Sequence, residues 1–357
     1  MKHIKLWVIM LSMVLLLAAC SSAAIPTQAS SSSATTAATP SQIVTIAPTQ
    51  QSIEPETTEA LTITSSPAPT LIPVPTTSII DGLPDPVEFW SSLNFDLKQY
   101  PRVDGSTANL PLGVYIRAVT TGQSLEACEK VTKFTTTGPS YIALARWETD
   151  LILAYEAPEE VKEDLAQMGA KLTMKPIGMD ALVFLTNNSN PVKSLTHKQI
   201  VDIYTGRIKK WNRVGGDNID IIPYQRISNS GSQALMLKLV MKGTQIMDAP
   251  TTLQPGSMSG LVDAIASYDN TRNALGYSVY YYVRNMYQMP GIKLLAVDGV
   301  APTNETIASG KYPYINPFYA VIRVDEPKGS PAHQLFDWLT GEEGKRAIGE
   351  AGYVAVK

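Results

Sequence analysis

The residues best suited to chemistry lie in the run Arg226-Ile227-Ser228-Asn229-Ser230-Gly231-Ser232. It follows the strand-like stretch Ile219–Tyr224. Beyond it, the spacing of Leu235, Met236, Leu239 and Val240 predicts a helix with one apolar face. Ser230 or Ser232 is placed to cap that helix, and Gly231 lets the backbone come close to a ligand. The first N–H groups of a helix lack internal partners and, with the dipole, favour an anion. Arg226 precedes them with a planar fork of donors suited to a tetrahedral oxyanion. Capping alone accounts for many such turns, so the weight falls on whether the pattern recurs.

It recurs twice. A short strand from Tyr100 ends in Gly105-Ser106-Thr107, and a helix is predicted over 108–121 with Pro111 in its first turn, where proline is tolerated. Then Thr135-Thr136-Thr137-Gly138-Pro139-Ser140 leads into a helix beginning at Tyr141. Between these loops and Arg226, the apolar run 149–155 predicts a buried strand of the parallel kind. Glu156 falls at its carboxyl end, where ligands of open α/β sheets sit.

The remaining elements alternate. Helices are predicted over 159–168, 194–206, 260–268 and 332–350. One or two strands are expected over 172–185, and an aromatic strand over 274–282 whose tyrosines suit a core. Thr196 with Gln199 makes a capping box, and Gly206 a stop. Strands alternating with helices predict an α/β domain with a mostly parallel sheet.

The 357 residues carry a net charge of −3 and no Lys/Arg blocks, which argues against nucleic acid as a partner. His3, His197 and His333 are far apart and no Cys/His ligand spacing occurs, so neither a metal nor a cofactor is expected. Lys2 and Lys5 followed by an apolar run to Ala19 predict a signal peptide over 1–20. The run is shorter than the ~20 residues of a membrane span. Residues 21–80 are rich in Ser, Thr, Ala and Pro with almost no charge, too poor in apolar surface to fold, and predict a disordered tether. The folded domain is expected over 81–357, with Cys128 as a lone buried thiol.

Two parts of the chain resemble known families. Leu17-Ala18-Ala19-Cys20 resembles the lipobox of bacterial lipoproteins, which implies that Cys20 carries lipid and tethers the chain to the membrane's extracytoplasmic face. Residues 98–357 resemble the phosphate-binding proteins of bacterial ABC importers. The resemblance rests on Leu195-Thr196, Gln199, Asp202, Tyr204, Gly206, Ile208, Trp211 and Gly215-Gly216, then on Arg226 with Ser230-Gly231-Ser232, on Ala274–Tyr277 and on Gly310–Pro313.

That resemblance implies a two-lobed periplasmic-binding-protein fold with two crossovers. One lobe is expected over about 98–183 and 314–357, the other over about 184–313. It implies a monomer that holds inorganic phosphate, or a related oxyanion, and passes it to an ABC permease. Its implied ligand contacts are Ser106 and Thr107, Thr136 or Thr137, Glu156, Arg226, Ser230, Gly231 and Ser232. The chain departs from the family where Tyr155-Glu156-Ala157-Pro158 replaces the usual Ser-Asp-Ala-Pro. A carboxylate there would demand a proton on the ligand, which hydrogen phosphate has and sulfate lacks. A binding or sensor protein for another small oxyanion, not coupled to import, is the alternative. Catalysis is not expected: Gly256-Ser257-Met258-Ser259-Gly260 puts Met258 where a nucleophile elbow needs serine, and no histidine pairs with a serine.

Overall fold

The computed structural model describes residues 78–267 and 272–356; the expectations for the signal segment, Cys20 and most of the tether lie outside them. The chain opens with β1 (Val103–Gly105), α1 (Leu110–Thr121), α2 (Leu125–Val131), α3 (Thr137–Ala145), β2 (Leu151–Ala154) and α4 (Glu159–Gln167). A long β3 (Leu172–Asn187) follows, then β4 (Ser194–Leu195), α5 (His197–Tyr204), β5 (Ile222–Pro223), α6 (Gly231–Leu235), α7 (Met258–Ala266) and β6 (Ala274–Val279). The last elements are β7 (Ile292–Val297), α8 (Asn304–Ala308), β8 (Ile315–Arg323), α9 (Pro331–Thr340), α10 (Glu342–Glu350) and β9 (Val354–Ala355).

The molecule has two lobes, and β3 passes through both. Its first part pairs antiparallel with β8, from Leu172 opposite Arg323 to Ala181 opposite Ile315. From Leu182 the partner changes to β6, with Leu182 opposite Val279, and β7 joins at Phe184 opposite Leu295. Pro176 has no N–H for the ladder, and the register shifts between it and Gly178. β1 lies parallel to β2, and β2 runs antiparallel to β8. The expectation of a mostly parallel sheet is therefore corrected: among the described residues only β1–β2, β4–β7 and β5–β6 are parallel. β3 carries the chain from one lobe to the other, and β8 begins beside that point, at Ile315 opposite Ala181, and runs antiparallel to it.

Burial follows from this layering. Ile152 and Ala154 of β2 and Val321 of β8 pack under Tyr141 and Leu144 of α3 and Val161 and Leu165 of α4. Ile152, Val321, Leu144, Val161 and Leu165 each contribute about 1.5–3 kcal/mol by leaving water. Leu182, Phe184 and Tyr277 are fully enclosed in the other sheet. The Thr196–Gln199 capping box is present, and Cys128 is buried and free. Two helical expectations differ. The predicted helix over 332–350 is two helices, broken at Gly341, whose extended backbone ends α9 and starts α10. The strand predicted over 274–282 ends at Val279, and a π-helical turn over Tyr282–Met286 follows.

Asp180 sits where β3 changes partners. Its carboxylate accepts from the Tyr155 hydroxyl at 2.7 Å, the Ala181 N–H at 2.7 Å and the Tyr281 N–H at 3.2 Å. Burial pushes this carboxyl up from 3.8 to about 6, outweighing those hydrogen bonds. An acid whose folded pKa exceeds its unfolded value contributes stability at low pH and loses it as pH rises through that interval. Relative to Asp180→Asn, the natural chain should therefore lose roughly 2–3 kcal/mol of unfolding free energy between pH 4 and pH 7. Urea titrations at each pH measure this, and a difference that does not change with pH would contradict it.

Candidate functional site

A cavity of about 250 Å³ opens between the lobes, lined by residues of both. It lies below the ~300–1,000 Å³ of sites for drug-sized molecules. Ser106, Thr107, Thr136 and Thr137 form one wall, and Arg226, Ser230, Gly231 and Ser232 face them. A larger groove of about 900 Å³ runs past Arg284, Lys293 and Glu305, but its charges are of both signs and it lacks convergent buried donors.

The first wall is built by β1 and β2. A Cβ on Gly105 would lie 2.0 Å from the Leu153 carbonyl oxygen, so only glycine lets the strands approach there. That approach lets the Ser106 N–H bond to the Leu153 carbonyl at 2.9 Å and holds the side chain at the cleft. The Ser106 hydroxyl lies 2.6 Å from Thr137 Oγ1 and accepts from the Tyr155 N–H at 3.2 Å. Thr136 stands at the N-cap of α3 but makes no side-chain cap bond, which leaves its hydroxyl uncommitted to the helix. Asp104 anchors the loop from behind, accepting from Thr135 N–H and Oγ1 at 2.7 and 2.8 Å.

The opposite wall turns on Arg226. Its side chain is almost wholly enclosed, with the residue 5% exposed. Nε donates to the Pro255 carbonyl and Nη2 to the Gly256 carbonyl, both at 3.0 Å, and Nη1 reaches Ser232 Oγ at 3.3 Å. These partners are all neutral, and no carboxylate pairs with it among the described residues. Burial lowers its pKa, the mark of a charge held out of water without a counter-charge. Ser230 caps α6 by accepting from the Gln233 N–H, and its Oγ lies 3.0 Å from Ser232 Oγ. The helix predicted to run on to Val240 does so, with a change of type: α6 ends at Leu235 and continues as a π-helical stretch over Met236–Met241.

Glu156 requires a correction. It does not line the cleft. β2 ends at Ala154 and the chain bends at Tyr155. Tyr155 takes the cleft side, with its ring buried and its hydroxyl on Asp180, while Glu156 lines a separate cavity of about 380 Å³ with Lys162 and Lys238. There Glu156 accepts from Lys162 Nζ at 2.7 Å and from Lys238 Nζ of the opposite wall. Burial would raise its pKa, but the two lysines outweigh it and hold it below the usual carboxylate range.

Other residues of the cleft had no assigned role in the sequence reading: Gly256, Ser257, Ser259 and Tyr282. A signal existed for Ser257, which caps α7 through the Gly260 N–H and so forms a further hydroxyl-led helix start. Among the described residues no cluster of His, Cys, Asp and Glu could hold a metal ion, and no helix is long and apolar enough to cross a membrane.

A family model described as a PBP superfamily domain matches residues 97–343, well over half of the chain. The phosphate-binding protein PstS of Borreliella burgdorferi is 27% identical over 210 residues, 57% of this chain and 72% of that protein. PstS of Bacillus subtilis is 26% identical over 181 residues, 50% of this chain and 55% of its own length. Among solved structures, a Clostridium perfringens protein described as a phosphate ABC transporter substrate-binding protein, with bound phosphate, superimposes with a TM-score of 0.55 at 23% identity. That match covers 71% of this chain and 98% of the other, and it shows the fold.

The two walls meet at Gly231. A Cβ there would lie 2.4 Å from Thr137 Oγ1 and 3.4 Å from the Tyr155 ring. Gly231→Ala should therefore wedge the walls apart and weaken binding of a tetrahedral oxyanion by about tenfold or more, ~1.4 kcal/mol. Calorimetry with unchanged affinity would show that the walls do not close on the ligand at this point.

Proposed function

The chain belongs to the PBP superfamily, and on that premise we propose that it is a solute-binding protein that captures inorganic phosphate between its lobes and delivers it to an ABC permease. The observation that carries this reading is Arg226, a buried guanidinium with only neutral partners in a cleft of hydroxyls. A bound oxyanion supplies the missing counter-charge. Ser106, Thr107, Thr136, Thr137, Ser230 and Ser232 and the backbone at Gly231 are the proposed contacts.

Charge-assisted hydrogen bonds contribute about 1.5–3 kcal/mol each. Several of them offset the cost of closing two lobes and still leave micromolar affinity, about −8 kcal/mol. The hydroxyls stand beside no imidazole or carboxylate in the cleft lining that could take their protons, which favours binding over catalysis. We place one lobe over about 98–183 and 314–357 and the other over about 184–313. The partner change in β3 and the adjacent start of β8 support these limits. The protein is proposed to work as a monomer at the extracytoplasmic face of the membrane, with residues 1–20 as signal, lipid on Cys20 and residues 21–80 as tether.

Arg226→Ala tests the reading. It should weaken phosphate binding by about 100-fold or more, the worth of two charged hydrogen bonds. The thermal transition should persist, since removing an unpaired buried charge does not open the core. A folded variant that binds phosphate within threefold of the natural protein would place the ligand elsewhere.

A further inference from the structure

The cleft can hold a tetrahedral oxyanion, but nothing lining it demands a proton on that anion. A carboxylate in contact with the ligand would do so, because it accepts hydrogen bonds and donates none. The nearest carboxylates are all committed elsewhere. Glu156 is held between Lys162 and Lys238 in a neighbouring cavity. Asp104 lies behind the first wall, occupied by the N–H groups of Gly105 and Thr135 and by the Thr135 hydroxyl. Asp180 lies beneath Tyr155 and is occupied by the Tyr155 hydroxyl and two backbone N–H groups.

What lines the cleft instead is Arg226, a donor only, and serine and threonine hydroxyls. A hydroxyl can rotate to accept from a protonated ligand oxygen or to donate to a bare one. The pairs Ser106–Thr137 and Ser230–Ser232 are of this kind, since either oxygen of each pair can be the donor. A ligand oxygen that carries no proton thus meets donors and no fixed negative charge.

We infer that this cleft does not select on ligand protonation and binds fully ionised tetrahedral oxyanions of the sulfate class alongside hydrogen phosphate. The inference rests on the reading of the cleft as a phosphate site and concerns its specificity. A site built around a ligand's donor group rejects an analogue without it by about 10⁴–10⁵-fold. The arrangement here removes the group responsible for that rejection. Glu156 serves instead as an ion-paired tie between the segment after β2 and the π-helical stretch after α6.

The test is calorimetric titration of the full-length protein, freed of bound anion, with sodium phosphate and with sodium sulfate at pH 7. Glu156→Gln is titrated in parallel. Sulfate affinity within about 100-fold of phosphate, well short of that rejection, is expected. So is a ratio of the two affinities unchanged within about threefold in Glu156→Gln, even if both affinities fall together through loss of the tie to Lys238. Phosphate binding with sulfate more than about 100-fold weaker would overturn the inference and leave the phosphate reading standing. A Glu156→Gln variant that gains sulfate relative to phosphate would overturn it too, by placing Glu156 against the ligand. Heat from neither anion would remove the phosphate reading itself, and this inference with it.

Discussion

A buried guanidinium without a carboxylate is the constraint on which the rest of the site depends. Moving a cation out of water costs several kcal/mol even after relaxation, and an unpaired one is a standing penalty. Arg226 reduces that penalty with the carbonyls of Pro255 and Gly256, which come from the loop before α7. Its own backbone N–H is fixed by Gln233 Oε1 and Tyr277. These bonds determine where the guanidinium points but leave its charge unbalanced. Ser230, Ser232 and the Ser106–Thr137 pair surround that charge with adjustable dipoles, and the anion completes the electrostatics.

The scaffold accounts for how two walls on separate lobes share one ligand. β3 belongs to both sheets, and its partner changes from β8 to β6 between Ala181 and Leu182. At that joint Asp180 accepts from Tyr155, which lines the first wall, and from the backbone of Tyr281 beyond β6. Beside the cleft, Glu156 and Lys238 tie the walls by an ion pair. That pair is partly exposed, with side chains 24% and 50% accessible, so salt screens it and its worth is about 0–1 kcal/mol. It can bias closure but cannot drive it, and the ligand's bonds to Arg226 must supply the larger share.

Much of this was legible in the sequence, and what was not has identifiable causes. Hydroxyl-led helix starts at Ser106, Thr136 and Ser230 are local signals, and the structure brings those residues to one cavity. The Thr196–Gln199 box is equally local and equally visible. Glu156 was misplaced because position at a strand's carboxyl end does not say which side a residue faces; its bulky neighbour Tyr155 and two lysines decided that. The sheet's mixed direction was hidden because pairing of β3 with β8 joins segments more than a hundred residues apart. The neutral partners of Arg226 come from Pro255 and Gly256, whose backbone oxygens no side-chain pattern announces. Gly341 was passed over as a break because the apolar spacing on either side of it is helical, and an extended glycine interrupts that spacing without altering it.

The role of Arg226 as the anion's partner is tested most directly by where the anion sits. A crystal structure of the protein grown with phosphate should show a tetrahedral ion within hydrogen-bond distance of the Arg226 guanidinium, Ser230 and Ser232, and of the Ser106–Thr137 wall. Density for the ion beside Lys162 and Lys238 instead, with the Arg226 cleft holding only water, would contradict it.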